Sequence, residues 1–285
     1  MRGKYTGGDR VFRSLLFITM FIFGLSFLAI LLWVITGSMR SSANFSKNPF
    51  GIFDITFETI AKNYEKAFTY KVGGTTDMFR MILNSAIIVT GTTALAVIVP
   101  AITGYIVAKY DFKLRKILTD LAVITLVVPT VGSVATTYRF MNALHLIDTY
   151  SGVFLLSAGG FGFSYLIFRN YFTAIPWEYA EAAFLDGAGN VQVFIRIMLP
   201  QAVPIIVSIA IVSFIGNWND YYTPYLYLRE HPTVAYGVNA IYSKYKTNYP
   251  VVFAAMTFSV GVVLIIYLFF SKTIMESMSA GGLKG

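Results

Sequence analysis

The sequence predicts an all-α, polytopic membrane protein with six transmembrane helices. Three observations carry that expectation. The 285 residues are 56% hydrophobic and only 13% charged, against about 25% charged residues in ordinary soluble domains, and the mean hydropathy is +0.65. The apolar residues gather into runs long enough to cross a hydrocarbon core, which takes about 20 residues at a rise of about 1.5 Å each. The basic residues stand between those runs rather than along one face, so the net charge of +8 does not mark a nucleic-acid partner.

In order, the runs are 11–37, 81–108, 117–140, 150–168, 201–228 and 250–271. Arg2, Lys4, Arg10 and Arg13 precede the uninterrupted apolar part of the first, about 14–36. It exceeds the ~7–15 apolar residues of a cleaved signal peptide and has no Ala-x-Ala-like exit, so it reads as a retained anchor. Pro100, Pro129, Gly159, Gly160 and Pro204 interrupt later runs, as bundled membrane helices allow when neighbours re-satisfy the freed backbone groups. Gly159-Gly160-Phe161-Gly162 reads as close helix packing, because it lacks the preceding strand of a nucleotide loop.

Lys and Arg mark the cytoplasmic side. Lys109, Lys113, Arg115 and Lys116 crowd one short loop, while 142–149 holds none. Six spans then place both termini, 109–116 and 172–200 in the cytoplasm, with 38–80 and 229–249 outside. The expected organisation is an anchor helix with an extracytoplasmic segment over 1–80, a core of five helices over 81–271, and a cytoplasmic tail over 272–285.

Catalysis finds little support. The chain has no cysteine, which excludes thiol chemistry, disulfides and Cys-based metal sites. His145 and His231 fall in separate loops without partners at metal spacing, and both read as solvated. Asp120 and Arg139 bound the third run and read as interfacial. No Ser-His-Asp arrangement emerges, and Glu178 and Glu181 share a helix rather than a pocket.

One segment departs from the greasy pattern. Between Pro176 and Pro200 stand three carboxylates, a group of alanines and Gly187 and Gly189. Proline suits a first helical turn and glycine a helix end, which brackets a helix over 176–187. On it Ala180, Ala183 and Gly187 share a sector flanked by Trp177 and Phe184, with Glu178 and Glu181 beyond. Such a small-residue seam admits another surface close to the backbone. Asn190 caps a second helix carrying Val191, Val193, Phe194, Ile197 and Leu199. Pro200 disfavours helical geometry at Leu199 and sets an elbow there. The residues alone fit a lever joined to the fifth span, or equally a loop helix lying on lipid.

The order Glu181-Ala182-Ala183, Gly187, then Ile197-Met198-Leu199-Pro200 resembles the EAA loop of ATP-binding-cassette importer permeases, EAA-x3-G-x9-I-x-L-P. Asn84-Ser85, Asp186-Gly187-Ala188, Trp218-Asn219-Asp220 and the ending Gly281-Gly282-Leu283-Lys284-Gly285 are similar to the maltose-type branch, the binding-protein-dependent carbohydrate permeases. Gly261, where a nearby proline is expected, and Ser271, where a glutamine is common, depart from it. The resemblance implies a permease subunit of the cell membrane paired with a second, different permease, two cytoplasmic ATP-binding subunits and an extracytoplasmic solute-binding protein. It implies that Glu181, Ala182, Ala183, Asp186, Gly187, Leu199 and Pro200 dock the ATPase, and that the cargo is a di- or oligosaccharide.

The chain carries no G-x-x-x-x-G-K-[ST] loop, so phosphate handling falls to a partner. No cofactor is expected in this chain; ATP and Mg belong to the ATPase subunits. Intramembrane polar groups mark candidate cargo contacts. These are Asn84, Asn217, Trp218, Asn219, Asp220 and Tyr221, whose amides, carboxylate and aromatic faces suit sugar hydroxyls and rings. Hydrogen bonding between helices is the plain alternative for Asn84, Ser85 and Asp220. A permease for peptides, amino acids or polyamines and a stand-alone secondary carrier are the competing functions; a membrane-embedded enzyme lacks a catalytic cluster.

Overall fold

The computed structural model describes residues 7–51, 55–127 and 132–282, with the backbone alone for 7, 9–10 and 272–282. Arg2, Lys4, Pro129 and Leu283-Lys284-Gly285 lie outside the described residues. Apart from one bridge between Val72 and Thr76, the regular structure among them is helical. The chain divides into two compact units, Met1–Tyr70 with Ala240–Val260, and Lys71–Asn239 with Gly261–Gly285.

The first unit contains α1 (Gly7–Ser38), α2 (Ser42–Lys47) and α3 (Phe57–Thr69). Along α1 the apolar stretch Val11–Ser38 is long enough to cross a membrane, and its most apolar window buries nothing within the chain. Packing begins at its C-terminal end. The Trp33 ring lies 5.1 Å from Phe253, and its Nε1–H donates to the Pro49 carbonyl at 2.8 Å. Arg40 is only 3% exposed. It donates to the Asn48 and Asn44 carbonyls at 2.8 and 3.2 Å, at the C-terminal end of α2, where the helix dipole favours a cation. Asn63 of α3 closes the corner, donating to the Ser38 and Arg40 carbonyls at 2.9 and 2.8 Å.

The second unit is built on α4 (Met78–Lys109), with α5 (Arg115–Val127), α6 (Ser133–Ala143), α7 (Tyr150–Ser157) and α8 (Phe163–Ala174). Asp77 caps α4 by accepting the Arg80 N–H at 3.0 Å, and the helix runs unbroken through Pro100. Its largest partner is α8, followed by α12 (Val203–Asn219) and α7. The α4–α8 crossing has no room at Gly104, where a Cβ would lie 2.8 Å from the Phe168 Cβ and 2.9 Å from the Arg169 nitrogen.

The remaining elements are α9 (Glu178–Leu185), α10 (Asn190–Val193), a π-turn over Phe194–Met198, α11 (Leu199–Gln201), α13 (Tyr222–Tyr227), α14 (Val234–Lys244) and α15 (Tyr249–Gly282). Among the described residues three helices are long and apolar enough to cross a membrane, Val11–Ser38, Met78–Lys109 and Tyr249–Ser271. A bent pair, Asn190–Gln201 with Val203–Asn219, passes the same test together. The predicted run 117–140 is divided between α5 and α6, with 128–131 outside the described residues. The run 150–168 is two helices, because the chain leaves helical geometry at 158–162, where three of five residues are glycine. The run 201–228 stops at Asn219 and resumes at Tyr222. α15 continues past the expected end at 271, so the segment expected as a tail continues as helix to Gly282.

Candidate functional site

The acidic segment is a helix, a tight turn and a second helix fixed to the α4–α8 core. α9 begins at Glu178, two residues beyond Pro176. Its end is a Schellman turn: Gly187 N–H donates to Phe184 O at 3.0 Å and Ala188 N–H to Ala183 O at 2.9 Å. That turn needs a left-handed residue, and Gly187 has φ +82. Open space surrounds Gly187, so the backbone conformation, not crowding, requires glycine there.

Of the seam expected to receive another surface, the two alanines face inward while Gly187 is exposed. Ala180 is 0% and Ala183 8% exposed, packed in one cluster with Phe168, Phe172, Val193 and Met198. Small side chains are needed there because α9 lies close on its own core. Trp177 and Phe184 stand 6.0 Å apart beside it, Tyr110 packs edge-on to Trp177, and the Lys109 ammonium lies 5.9 Å from that ring. Lys109 also donates to the Ile175 carbonyl, and Tyr110 to Asn190 Oδ1 at 3.2 Å. These contacts weld the segment to the C-terminal end of α4.

What faces outward is a different set: Glu178, Tyr179, Glu181, Ala182, Leu185 and Asp186 are exposed. Leu185 is 89% exposed, an apolar knob amid carboxylates. The sequence reading passed over Leu185 and Tyr179. The signal was available, since Leu185 follows the inward Ala183 by two residues and so sits about 200° around the helix.

The elbow also moves. Leu199 is helical, with φ −65 and ψ −42. Its N–H reaches back to Phe194 O, closing the π-turn. Pro200 has no N–H, and its ring would press on the carbonyl four residues back in a regular α-helix; the wider turn accommodates it. The break falls at Ala202, φ −84 and ψ 0, where the two helical pieces bend by 75°. Tyr171 steadies the corner by donating to Gln201 O at 2.7 Å.

The expected cargo contacts separate. Asn84 is committed at both ends, donating to Pro232 O at 3.0 Å and accepting from Tyr150 at 2.9 Å; Ser85 accepts the Val234 N–H at 2.8 Å. His231, expected as solvated, is half-buried with its ring 4.7 Å from Tyr150. Trp218 is buried and stacks near Phe214 at 6.1 Å. Asn219 folds back to Ile215 O at 2.8 Å, and Tyr221 is exposed beside Tyr222. Only Asn217 and Asp220 converge, in a cavity of about 160 Å³ with Thr92, Ser157 and Thr223. Among the described residues no group of three metal-binding side chains forms.

Long apolar helices and a bent helical pair that passes the same test define a multi-pass membrane protein. Residues 100–279 match the family described as binding-protein-dependent transport system inner membrane component, and the chain belongs to that family. It is a transport subunit, not an enzyme, and the family works together with partner subunits. The arabinooligosaccharides transport system permease protein AraQ of Bacillus subtilis is 31% identical over 76% of this chain and 78% of its own. The diacetylchitobiose uptake system permease protein NgcG of Streptomyces coelicolor is 27% identical over 96% of this chain and 89% of its own. The fold is shared, with a TM-score of 0.76 at 21% identity over 95% of this chain and 99% of the other, by a chain from the crystal structure of a bacterial ABC transporter involved in the import of the acidic polysaccharide alginate.

Proposed function

We propose that this chain is the permease subunit of an ATP-driven oligosaccharide importer, and that the outward face of α9 is where an ATPase subunit drives it. The carrying observation is that face itself: Leu185 exposed among Glu178, Glu181 and Asp186, on a helix fixed from behind to α4 and α8. An apolar knob ringed by charge is the make-up of a protein-docking centre with a polar rim. Force applied there passes through α10, the π-turn and the Ala202 bend into α12. Glu181, Ala182 and Asp186 touch the partner; Ala183 seats the helix; Gly187, Leu199 and Pro200 shape the turn and the bend.

Six spans follow if α5 with α6, and α7 with α8, each cross once, with both termini and α9 in the cytoplasm. A second, different permease, two ATP-binding subunits holding ATP and Mg, and an extracytoplasmic solute-binding protein complete the machine. Sugar and the closed ATPase favour one bundle conformation over the other, and that differential affinity moves the population between them. The oligosaccharide cargo rests on the names of the two relatives.

The test is Leu185→Asp in the assembled transporter. Its side chain supports nothing within the chain, so the purified permease keeps its melting temperature while co-purifying ATPase and sugar uptake both fall at least tenfold. Normal uptake with a full complement of ATPase would remove α9 as the docking surface.

A further inference from the structure

The cavity holding Asn217 and Asp220 is rich in acceptors. Thr92 spends its hydroxyl proton on Ile88 O at 2.7 Å, and Ser157 spends its own on Val153 O at 3.0 Å. The Asn217 amide N–H donates to Thr93 Oγ1 at 3.2 Å. Asp220 Oδ1 accepts the Tyr222 and Thr223 N–H groups at 2.9 and 3.0 Å, capping α13. Left over among the described residues are the acceptors Asp220 Oδ2, Asn217 Oδ1 and the lone pairs of the Thr92 and Ser157 hydroxyls, against two donors, the second Asn217 amide N–H and the Thr223 hydroxyl. Ile88, Val153 and Pro224 complete an apolar wall.

We infer that this cavity is a subsite for one hydroxyl-rich, uncharged sugar unit, and that it selects neutral over anionic saccharides; this rests on the reading of the chain as a sugar-importer permease. Hydroxyls are donors that satisfy such acceptors, and the apolar wall receives the C–H face of a ring. A uronate or sulfonate brings further acceptors to a site already rich in them and a second negative charge beside Asp220, in a half-buried place where repulsion is poorly screened. At about 160 Å³ the cavity is well below the ~300–1,000 Å³ of a pocket for a drug-sized ligand, so it takes one unit and not a chain. The related fold that handles acidic alginate makes the selectivity a difference between relatives rather than a property of the architecture.

The experiment uses proteoliposomes holding the complete transporter and its binding protein, offered arabinotriose, diacetylchitobiose and an alginate trisaccharide, with spermidine as competitor. ATP hydrolysis is recorded so that uptake is read per ATP. The wild type takes up a neutral sugar and not the alginate trisaccharide. Asp220→Asn keeps the Oδ1 cap of α13 but replaces the free acceptor with a donor, and uptake per ATP of the neutral sugar falls about tenfold. Thr92→Val removes one acceptor at nearly constant volume and shifts uptake in the same direction by a smaller factor. Unchanged neutral uptake in both variants overturns the subsite while leaving the importer intact. Wild-type uptake of the alginate trisaccharide overturns the selectivity, and competition by spermidine assigns the cavity to cations instead. Uptake of no saccharide at all sinks the importer reading and the subsite together.

Discussion

Gly187 and Leu185, two residues apart, answer to different physics. Gly187 holds a left-handed turn with nothing around it, so its cost of replacement is conformational. A Gly187→Ala chain should lose about 1 kcal/mol at the end of α9, seen as roughly fivefold faster hydrogen exchange of the Ala188 amide, whereas Gly187→Asn should stay near the wild type. Equal exchange in all three would refute the Schellman assignment. The sequence marked Gly187 both as a helix end, which the turn bears out, and as part of a close-approach seam; the end is legible in one dimension, while what lies beside it is not. Ala180 and Ala183 show the same limit. Their shared sector was legible from helical periodicity, but whether it faced a partner or the chain's own core depended on Phe168 and Met198, which the spacing says nothing about.

Among the elements, α4 is the scaffold, and its fit against α8 is decided at Gly104. Adding one methyl there drives it against the Arg169 backbone nitrogen, which cannot move without shifting α8. Gly104→Ala should destabilise the chain by about 1–3 kcal/mol. Gly261→Ala on α15, with nothing within 4 Å of its Cβ position, should be neutral or gain up to about 1 kcal/mol in helix propensity. Melting of the two purified variants side by side checks the contrast, and equal losses would contradict the crossing geometry. The apolar runs were readable because hydropathy is summed over windows. The breaks were not: the glycine-rich stretch at 158–162 was read as packing inside one span, and the elbow was placed at Leu199. Pro200 does disturb the helix there, but a π-turn absorbs the disturbance and the bend appears at Ala202.

At the scale of the whole molecule, the anchor helix and the core answer to different surroundings. The apolar window of α1 buries none of its surface in this chain, so its stability comes from the membrane rather than from the fold. Removing residues 1–28 should therefore change the melting temperature of the detergent-purified chain by less than about 1 kcal/mol equivalent, since exposed positions contribute little, while membrane retention in cells drops. Failure of the shortened chain to fold in detergent would show that α1 supports the rest.

The sequence by itself determined that this is a helical membrane transport component and where its acidic, small-residue segment lies, because apolar run length and motif spacing are local properties. The tertiary structure alone decided which face of α9 looks outward, where the helical runs break, and which polar residues share a site. Asn84 and Asp220 looked alike in the sequence, yet Asn84 is consumed by Tyr150 and Pro232 while Asp220 joins Thr92, Ser157 and Asn217 around a cavity. Tyr150, Pro232, Thr92 and Ser157 lie many tens of residues away in the chain, and a hydrogen bond or a buried surface between distant segments exists only once folding has brought them together.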